Sequence, residues 1–344
     1  MEPYDRLDWR LPYLTASLPG IGGQIRTVPE DFVVEEVPVY EPGGEGEHTF
    51  FRVEKREITT PALIRQIAQA LDVSPRDVGS AGRKDKYAVA RQTLSVWNVP
   101  PKRLLALALE NARVLWARRH TNKLRVGHLL GNRFTLRIRD VHPEAEARAG
   151  AILKVLARRG VPNGYGRQRF GNRGDNDKIG LALVRNDREV LDWRGIHHPS
   201  YGQRRFYVNA LQSALFNQVL TVRMREKTVD DLLPGDVAKK HDTGGMFTVE
   251  DVERERPRVA NWEISPTGPI YGYKMMEAQD EAAALEARLL HEINLTLEEF
   301  QAVKAKGSRR ALRYRPGDLE WHVEGDALVV TFFAPKGAYA TLFL

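Results

Sequence analysis

Residues 81–92 read AGRKDKYAVARQ, from Ala81 to Gln92. Arg83, Lys84, Lys86 and Arg91 surround a single acid, Asp85, and Gly79 and Gly82 loosen the backbone just before it. Cations beside a carboxylate favour its charged form. A charged aspartate in such a loop can be a nucleophile, a base or a metal ligand. It can equally do no chemistry and share surface ion pairs with its neighbours. These twelve residues alone leave the alternatives open.

A chain of 344 residues is long for one small core and suits two domains, with one inserted in the other as one arrangement. Hydrophobic residues at 42% and charged residues at 28% match a globular protein, and no apolar run reaches the roughly 18 residues of a membrane span. The first ten residues carry Glu2, Asp5, Arg6, Asp8 and Arg10 where a secretory signal needs an apolar stretch, so a cytoplasmic location is expected. Cysteine is absent, which removes disulfides, thiolate nucleophiles and the commonest structural zinc sites. The formal net charge of +7 favours an anionic partner.

The positive charge is unevenly spread. Arg113, Arg118, Arg119, Lys123, Arg125, Arg133, Arg137 and Arg139 follow one another without an Asp or Glu between them. Within this run Phe134, Leu136 and Ile138 alternate with Arg133, Thr135, Arg137 and Arg139, which predicts a strand with an apolar back and a cationic front. Such a front is either solvated surface or a place for phosphates. A second acid-free run holds Lys304, Lys306, Arg309, Arg310, Arg313 and Arg315 and is a candidate second wall of a groove.

Helices are predicted where caps meet apolar stripes. Thr60 and Pro61 read as an N-cap and first turn before Leu63, Ile64, Ile67 and Leu71. Ser74, Pro75 and Asp77 read as the start of a further short helix. Pro143 opens a helix that stops at Arg158, Arg159 and Gly160, a candidate domain boundary. Ala210 to Met224 and Glu277 to His291 also read as helices, and Thr296 with Glu299 forms a capping box beside Leu295 and Phe300. Strands are predicted at Arg26 to Val37, Thr49 to Lys55, Thr93 to Val99, Phe134 to Ile138 and Leu328 to Phe333, and Pro257 to Gly272 reads as a loop or ribbon. The chain is therefore mixed α and β. His197, His198 and the His241-Asp242 pair are too scattered for a zinc site, which wants three or four convergent ligands.

AGRKDKYAVARQ resembles the signature of the TruD family of tRNA pseudouridine synthases, approximately Gly-x-Lys-Asp-x-x-Ala-x-Thr-x-Gln. The match falls on Gly82, Lys84, Asp85, Ala88, Ala90 and Gln92, with Ala90 in place of the usual Thr. Further blocks in family order are Pro29-Glu30-Asp31-Phe32, Gly44 to His48, Lys123-Leu124-Arg125, Gly131-Asn132 with Phe134, and Pro162-Asn163. Gln168-Arg169-Phe170-Gly171, Ser213 to Gln218 and Pro335 to Thr341 follow, so the resemblance covers nearly the whole chain. Gly164-Tyr165 departs from it, standing where the family has two aromatics before Gly166.

The resemblance implies a mixed α/β pseudouridine synthase domain, circularly permuted, with an inserted second α/β domain. The expected bounds are 1–160 and 311–344 for the catalytic domain and 161–310 for the insert, with a cleft between them walled by the basic runs. It implies isomerisation of uridine 13 in the D-arm of tRNA without metal or cofactor, by a monomer with no membrane or protein partner. Asp85 inherits the role of nucleophile and Arg26 that of its basic partner. The target uridine must leave its stack and meet an aromatic face. Phe134, Phe32 and Tyr339 resemble the pocket-lining positions, although each read by itself is equally a core residue. Asn132 offers an amide to the base or ribose, or is only a turn former after Gly131. Gln168, Arg169 and Phe170 are candidates for substrate contact or for a hinge. Arg113, Arg118, Arg119, Lys123, Arg125, Arg137 and Arg139 are the candidate phosphate contacts.

Two other functions fit parts of this pattern. An RNA-binding protein without chemistry would carry the same basic runs but has no use for a negative charge at Asp85. A hydrolase would need a second carboxylate near Asp85, for which Glu35, Glu36, Glu45 and Glu47 are the candidates.

Overall fold

The alternation around Phe134 takes the predicted form. In the computed structural model, which describes residues 4–344, Leu129–Arg139 is an interior strand of a nine-stranded mixed sheet. Met1 and Glu2, used above to read the N-terminus, lie outside the described residues. The main order is Gly317–Glu324, Ala327–Pro335, Leu129–Arg139, Phe32–Pro38, Val89–Trp97, His48–Lys55 and Ala112–His120. Phe32–Pro38 runs parallel to Val89–Trp97, and the other neighbours along this path are antiparallel.

Register decides which side chains share a face. Asn132 opposes Glu36 and Ala334, Phe134 opposes Val34 and Phe332, and Leu136 opposes Phe32. Val34 in turn pairs with Ala90, Ala90 with Lys55, and Gln92 with Val53. Because side chains alternate along a strand, one face carries Phe32, Glu36, Lys55, Ala90, Gln92, Asn132 and Phe134. The helix Thr60–Leu71 closes part of that face by packing Leu63, Ile67 and Leu71 against Phe51 and Val53.

The N-cap of this helix is Thr59, not Thr60: the Thr59 side chain accepts the Ala62 N–H at 3.3 Å. Thr60 is buried and serves the loop described below. Ser74, Pro75 and Asp77 form a turn and no helix, since Asp77 Oδ2 accepts the Ser74 N–H and the chain moves straight on to the short strand Gly79–Ser80. The helix from Pro143 is Ala145–Arg159, and Gly160 ends it at φ +89°, in the left-handed region.

The chain packs as two compact units. One comprises Leu18–Lys154 and Pro316–Gly337 and holds the nine-stranded sheet. The other comprises Val155–Arg315, a range that encloses the expected 161–310, together with residues 4–17 and Ala338–Leu344. Those two terminal segments were expected with the catalytic sheet. In this second unit the 25-residue helix Tyr201–Arg225 is buried over much of its length, as Leu211 and Leu215 pack among Ile179, Leu183, Tyr271 and Phe300. Its main sheet has the order Met246–Thr248, Val237–Lys240, Ile264–Ile270 and Ser308–Ala311. Of the two readings for Pro257 to Gly272, loop or ribbon, the ribbon is nearer: the stretch ends the helix Val252–Ala260 and forms the buried strand Ile264–Ile270, paired antiparallel on both sides. Among the described residues no helix is long and apolar enough to cross a membrane.

Candidate active site

Asp85 lies in the loop that joins Gly79–Ser80 to Val89–Trp97. Gly79 is dictated by close approach, because a Cβ there would meet the Leu124 carbonyl oxygen at 2.3 Å, whereas one at Gly82 would meet open space. The loop is fixed mainly by buried polar bonds. Lys84 Nζ donates to Glu36 Oε2 at 2.6 Å, with both side chains almost wholly buried. The other Glu36 oxygen accepts the Thr93 N–H at 3.1 Å. Thr60 Oγ1 accepts the Lys84 N–H at 3.0 Å and donates to Gln92 Oε1 at 3.1 Å. Glu36, a candidate second carboxylate for a hydrolase, is thus already engaged on both oxygens.

Lys55 holds the next peptide. Its side chain is buried, and Nζ donates to the Asp85 carbonyl oxygen at 2.6 Å and to that of Ile58 at 2.8 Å. Burial pushes the Lys55 ammonium down to about 8; the Asp85 charge opposes that shift and Lys84 adds to it.

With its backbone held, Asp85 presents a partly open carboxylate. Oδ1 accepts the Tyr87 N–H at 3.0 Å, a local turn bond, and Oδ2 accepts from Arg26 Nη2 at 2.9 Å. The four cations of the 81–92 stretch do not make this pair. Lys84 serves Glu36, Arg91 serves Glu54, and Arg83 and Lys86 are exposed. The partner comes from 59 positions away. Arg26 adopts φ 60°, a sparsely used backbone region for a residue with a Cβ, and its guanidinium lies 4.3 Å over the Phe32 ring. Phe32 meets Phe134 edge-on at 6.0 Å, and Phe134 stacks on Phe332 at 5.5 Å. The Asn132 amide oxygen on the same sheet face is buried without a hydrogen-bond partner, an acceptor left over for a ligand donor. Asp85, Arg26, Phe32, Asn132 and Phe134 therefore belong to one unit, with Arg26 bridging the carboxylate and an aromatic ring. Among the described residues no group of three or more His, Asp or Glu is placed to hold a metal ion.

The family model of tRNA pseudouridine synthase D (TruD) matches residues 9–200 and 193–344. The chain belongs to the TruD family. It is 40% identical to the tRNA pseudouridine synthase D of Geobacter sulfurreducens, covering 96% of this chain and 95% of the relative. It is 46% identical to that of Thermus thermophilus, covering 97% and 91%. A crystal structure from Methanosarcina mazei, of a chain described as a candidate TruD, shares the fold at TM-score 0.77 with 24% identity, over 97% of this chain and 95% of that one.

The remaining TruD-like positions fall in the second unit. Phe170 is fully buried and stacked on Trp9 with ring centroids 4.7 Å apart, so it packs the core and cannot meet a base. Gln168 is exposed, and Arg169 Nε donates to Ser213 Oγ at 3.1 Å. Tyr339 is half-buried and meets Tyr165 edge-on at 5.6 Å. Gly164, the departure from the family pattern, has a close neighbour: a Cβ would lie 2.3 Å from a Leu11 methyl, so a larger side chain there needs Leu11 to move.

The candidate phosphate contacts divide by partner. Arg139 clamps the buried Asp31 with Nη2 to Oδ1 at 2.7 Å, Arg137 pairs with Glu324, and Arg113 pairs with Glu54 at 2.8 Å. Burial works to raise the Asp31 carboxyl, but Arg139 and the Val28 N–H outweigh it and leave it below its ordinary value. All three arginines already have a carboxylate partner in the chain. Arg119 donates to the Glu47 carbonyl and Lys123 to that of Arg76. Arg118 and Arg125 are exposed. The second basic run divides as well. Arg309 forms a buried pair with Glu286, Arg313 is buried and donates to the Arg159 and Val259 carbonyls, and Arg310 caps Asn163 and Tyr165. Only part of that run faces outward.

Proposed function

We propose that this chain isomerises uridine 13 in the D-arm of tRNA to pseudouridine, with Asp85 as the nucleophile. The observation that carries this reading is the Asp85 carboxylate. Its backbone is fixed by Lys55, one oxygen is paired with Arg26, and Phe32 lies directly beneath that guanidinium. The named relatives are tRNA pseudouridine synthases, which fits a tRNA substrate. In the reaction the bond from ribose C1′ to N1 breaks and one from C1′ to C5 forms. A proton leaves C5 and N1 ends bearing one, so the product is an isomer and no co-reactant is consumed. Asp85 supplies the electron pair that assists cleavage and recovers it as the C1′–C5 bond forms, while the buried rings of Phe32 and Phe134 make the apolar floor that supports Arg26.

The test is incubation of the purified chain with unmodified tRNA transcripts, followed by chemical labelling and primer extension. A stop at position 13 is the expected result, and a stop elsewhere or none overturns the assignment. Turnover on tRNA folded beforehand is expected to survive EDTA, measured with the same assay. Loss restored by zinc would show that the chemistry needs a metal.

A further inference from the structure

Two residues of the second basic run, Lys304 and Lys306, take no part in its internal pairs. They line an open concavity of about 450 Å³ in the second unit, together with Tyr201, Arg204, Arg205 and Asn209. Arg204 and Arg205 project from the start of the helix Tyr201–Arg225. Lys304 and Lys306 sit on the turn between the helix Leu297–Ala302 and the strand Ser308–Ala311. That turn is held firmly. Lys304 and Gly307 take φ 58° and +76°, a Cβ on Gly307 would meet the Gly272 nitrogen at 2.7 Å, and the Lys306 carbonyl accepts the Lys274 N–H at 2.7 Å.

The decisive feature is the charge. Arg204, Arg205, Lys304 and Lys306 are all exposed, none has an ion pair among the described residues, and no Asp or Glu lines the concavity. Arg113, Arg133, Arg137 and Arg139, by contrast, each have a carboxylate of the chain. Four like charges gathered in one hollow repel each other, and an anion seated among them removes that repulsion. Arg204 also lines a second hollow of about 220 Å³ with Arg188, where His197 is bonded to Asp192, so the two arginines alone carry the positive charge onward. Tyr201 stands at the rim, 77% exposed, with a ring face on which an unpaired base can stack. A phosphate backbone carrying unpaired bases satisfies both features.

We propose that this hollow is a tRNA-binding site of the second unit, in which Arg204, Arg205, Lys304 and Lys306 hold consecutive backbone phosphates. It rests on the tRNA reading above but assigns no part of the chemistry. The test compares the full chain with a triple variant, Arg205→Ala with Lys304→Ala and Lys306→Ala, and with Lys304→Gln with Lys306→Gln as a milder change. Binding of an unmodified tRNA transcript is measured across a salt series, beside an unfolding curve for each protein.

The triple variant is expected to bind at least about tenfold more weakly at low salt. Its slope of log affinity against log salt should flatten by about two units, since each lost phosphate contact removes somewhat under one. The milder variant should lie between. KM for tRNA should rise while kcat at saturating tRNA holds, because phosphate contacts position the backbone and not the reacting base. Wild-type affinity and slope in a folded triple variant overturn the proposal, as does a kcat that falls with KM unchanged. If the full chain binds tRNA through these residues yet forms no pseudouridine, the site stands and the catalytic reading fails.

Discussion

Asp85→Asn is expected to abolish pseudouridine formation while leaving tRNA affinity near that of the unaltered chain. Asparagine preserves the shape, can still accept the Tyr87 N–H, and leaves the Lys55 bond to the backbone carbonyl untouched. It removes the charge that Arg26 pairs with and the electron pair that attacks. A fall of roughly 10³-fold or more corresponds to about 4 kcal/mol of lost transition-state stabilisation, at 1.36 kcal/mol per tenfold. Single-turnover assays with chemical labelling give the rate, and filter binding gives the affinity. Turnover within a few-fold of the unaltered rate would sink the role of Asp85. Loss of binding in step with loss of rate would instead make the residue structural.

The parts of this site that could be read in the sequence are those whose signal is local. The strand around Phe134 was legible because apolar residues alternate with Arg or Thr over seven positions, and a period of two has one structural meaning. The Asp85 loop was legible as unusual, but its local charge was misleading. Neighbouring cations in sequence suggested the ion pairs, and the fold sends Lys84 to Glu36 and Arg91 to Glu54 while bringing Arg26 to Asp85. Resemblance to the family, not charge patterning, pointed to Arg26. Lys55 was missed altogether. Its position at the end of a strand reads as a solvent-facing lysine, and only the register of His48–Lys55 against Val89–Trp97 puts it on the buried face. Thr60 looked like a cap for the same reason: two adjacent threonines both fit the local rule, and the one left over was free to bind the loop.

The basic runs show a related limit. Acid-free stretches count charges along the chain, but carboxylates distant in sequence neutralise them. Asp31 lies 108 positions from Arg139, and Glu286 lies 23 from Arg309. The four charges that line the hollow come from two segments far apart in sequence, around 204 and 305, and only Lys304 and Lys306 belong to an acid-free run.

Lys55→Met is expected to slow turnover by roughly 10²-fold, the order seen when a reacting group is misplaced by about 1 Å, with little change in KM for tRNA. Methionine fills the space of the lysine stem and removes the ammonium, so the carbonyls of Ile58 and Asp85 lose their shared donor. Lys84 and Thr60 still hold the preceding residue, so the loop should stay folded while the nucleophile loses its aim. A second readout follows from the titration. The folded-state value of about 8 lies below the ordinary 10.5, so between these values the unfolded chain binds more protons at this residue than the folded one. Stability from this residue therefore rises as pH climbs from about 8 towards 10.5, and below about 8 the cost of the buried charge is constant. Asp85 and Lys84 are the charged groups that act on it, and both remain in the variant. Unfolding curves across that window should show the rise in the unaltered chain and a flatter profile in Lys55→Met. Wild-type turnover in a folded Lys55→Met, or an unchanged pH profile of stability, would mean that the Asp85 loop is held without this bond.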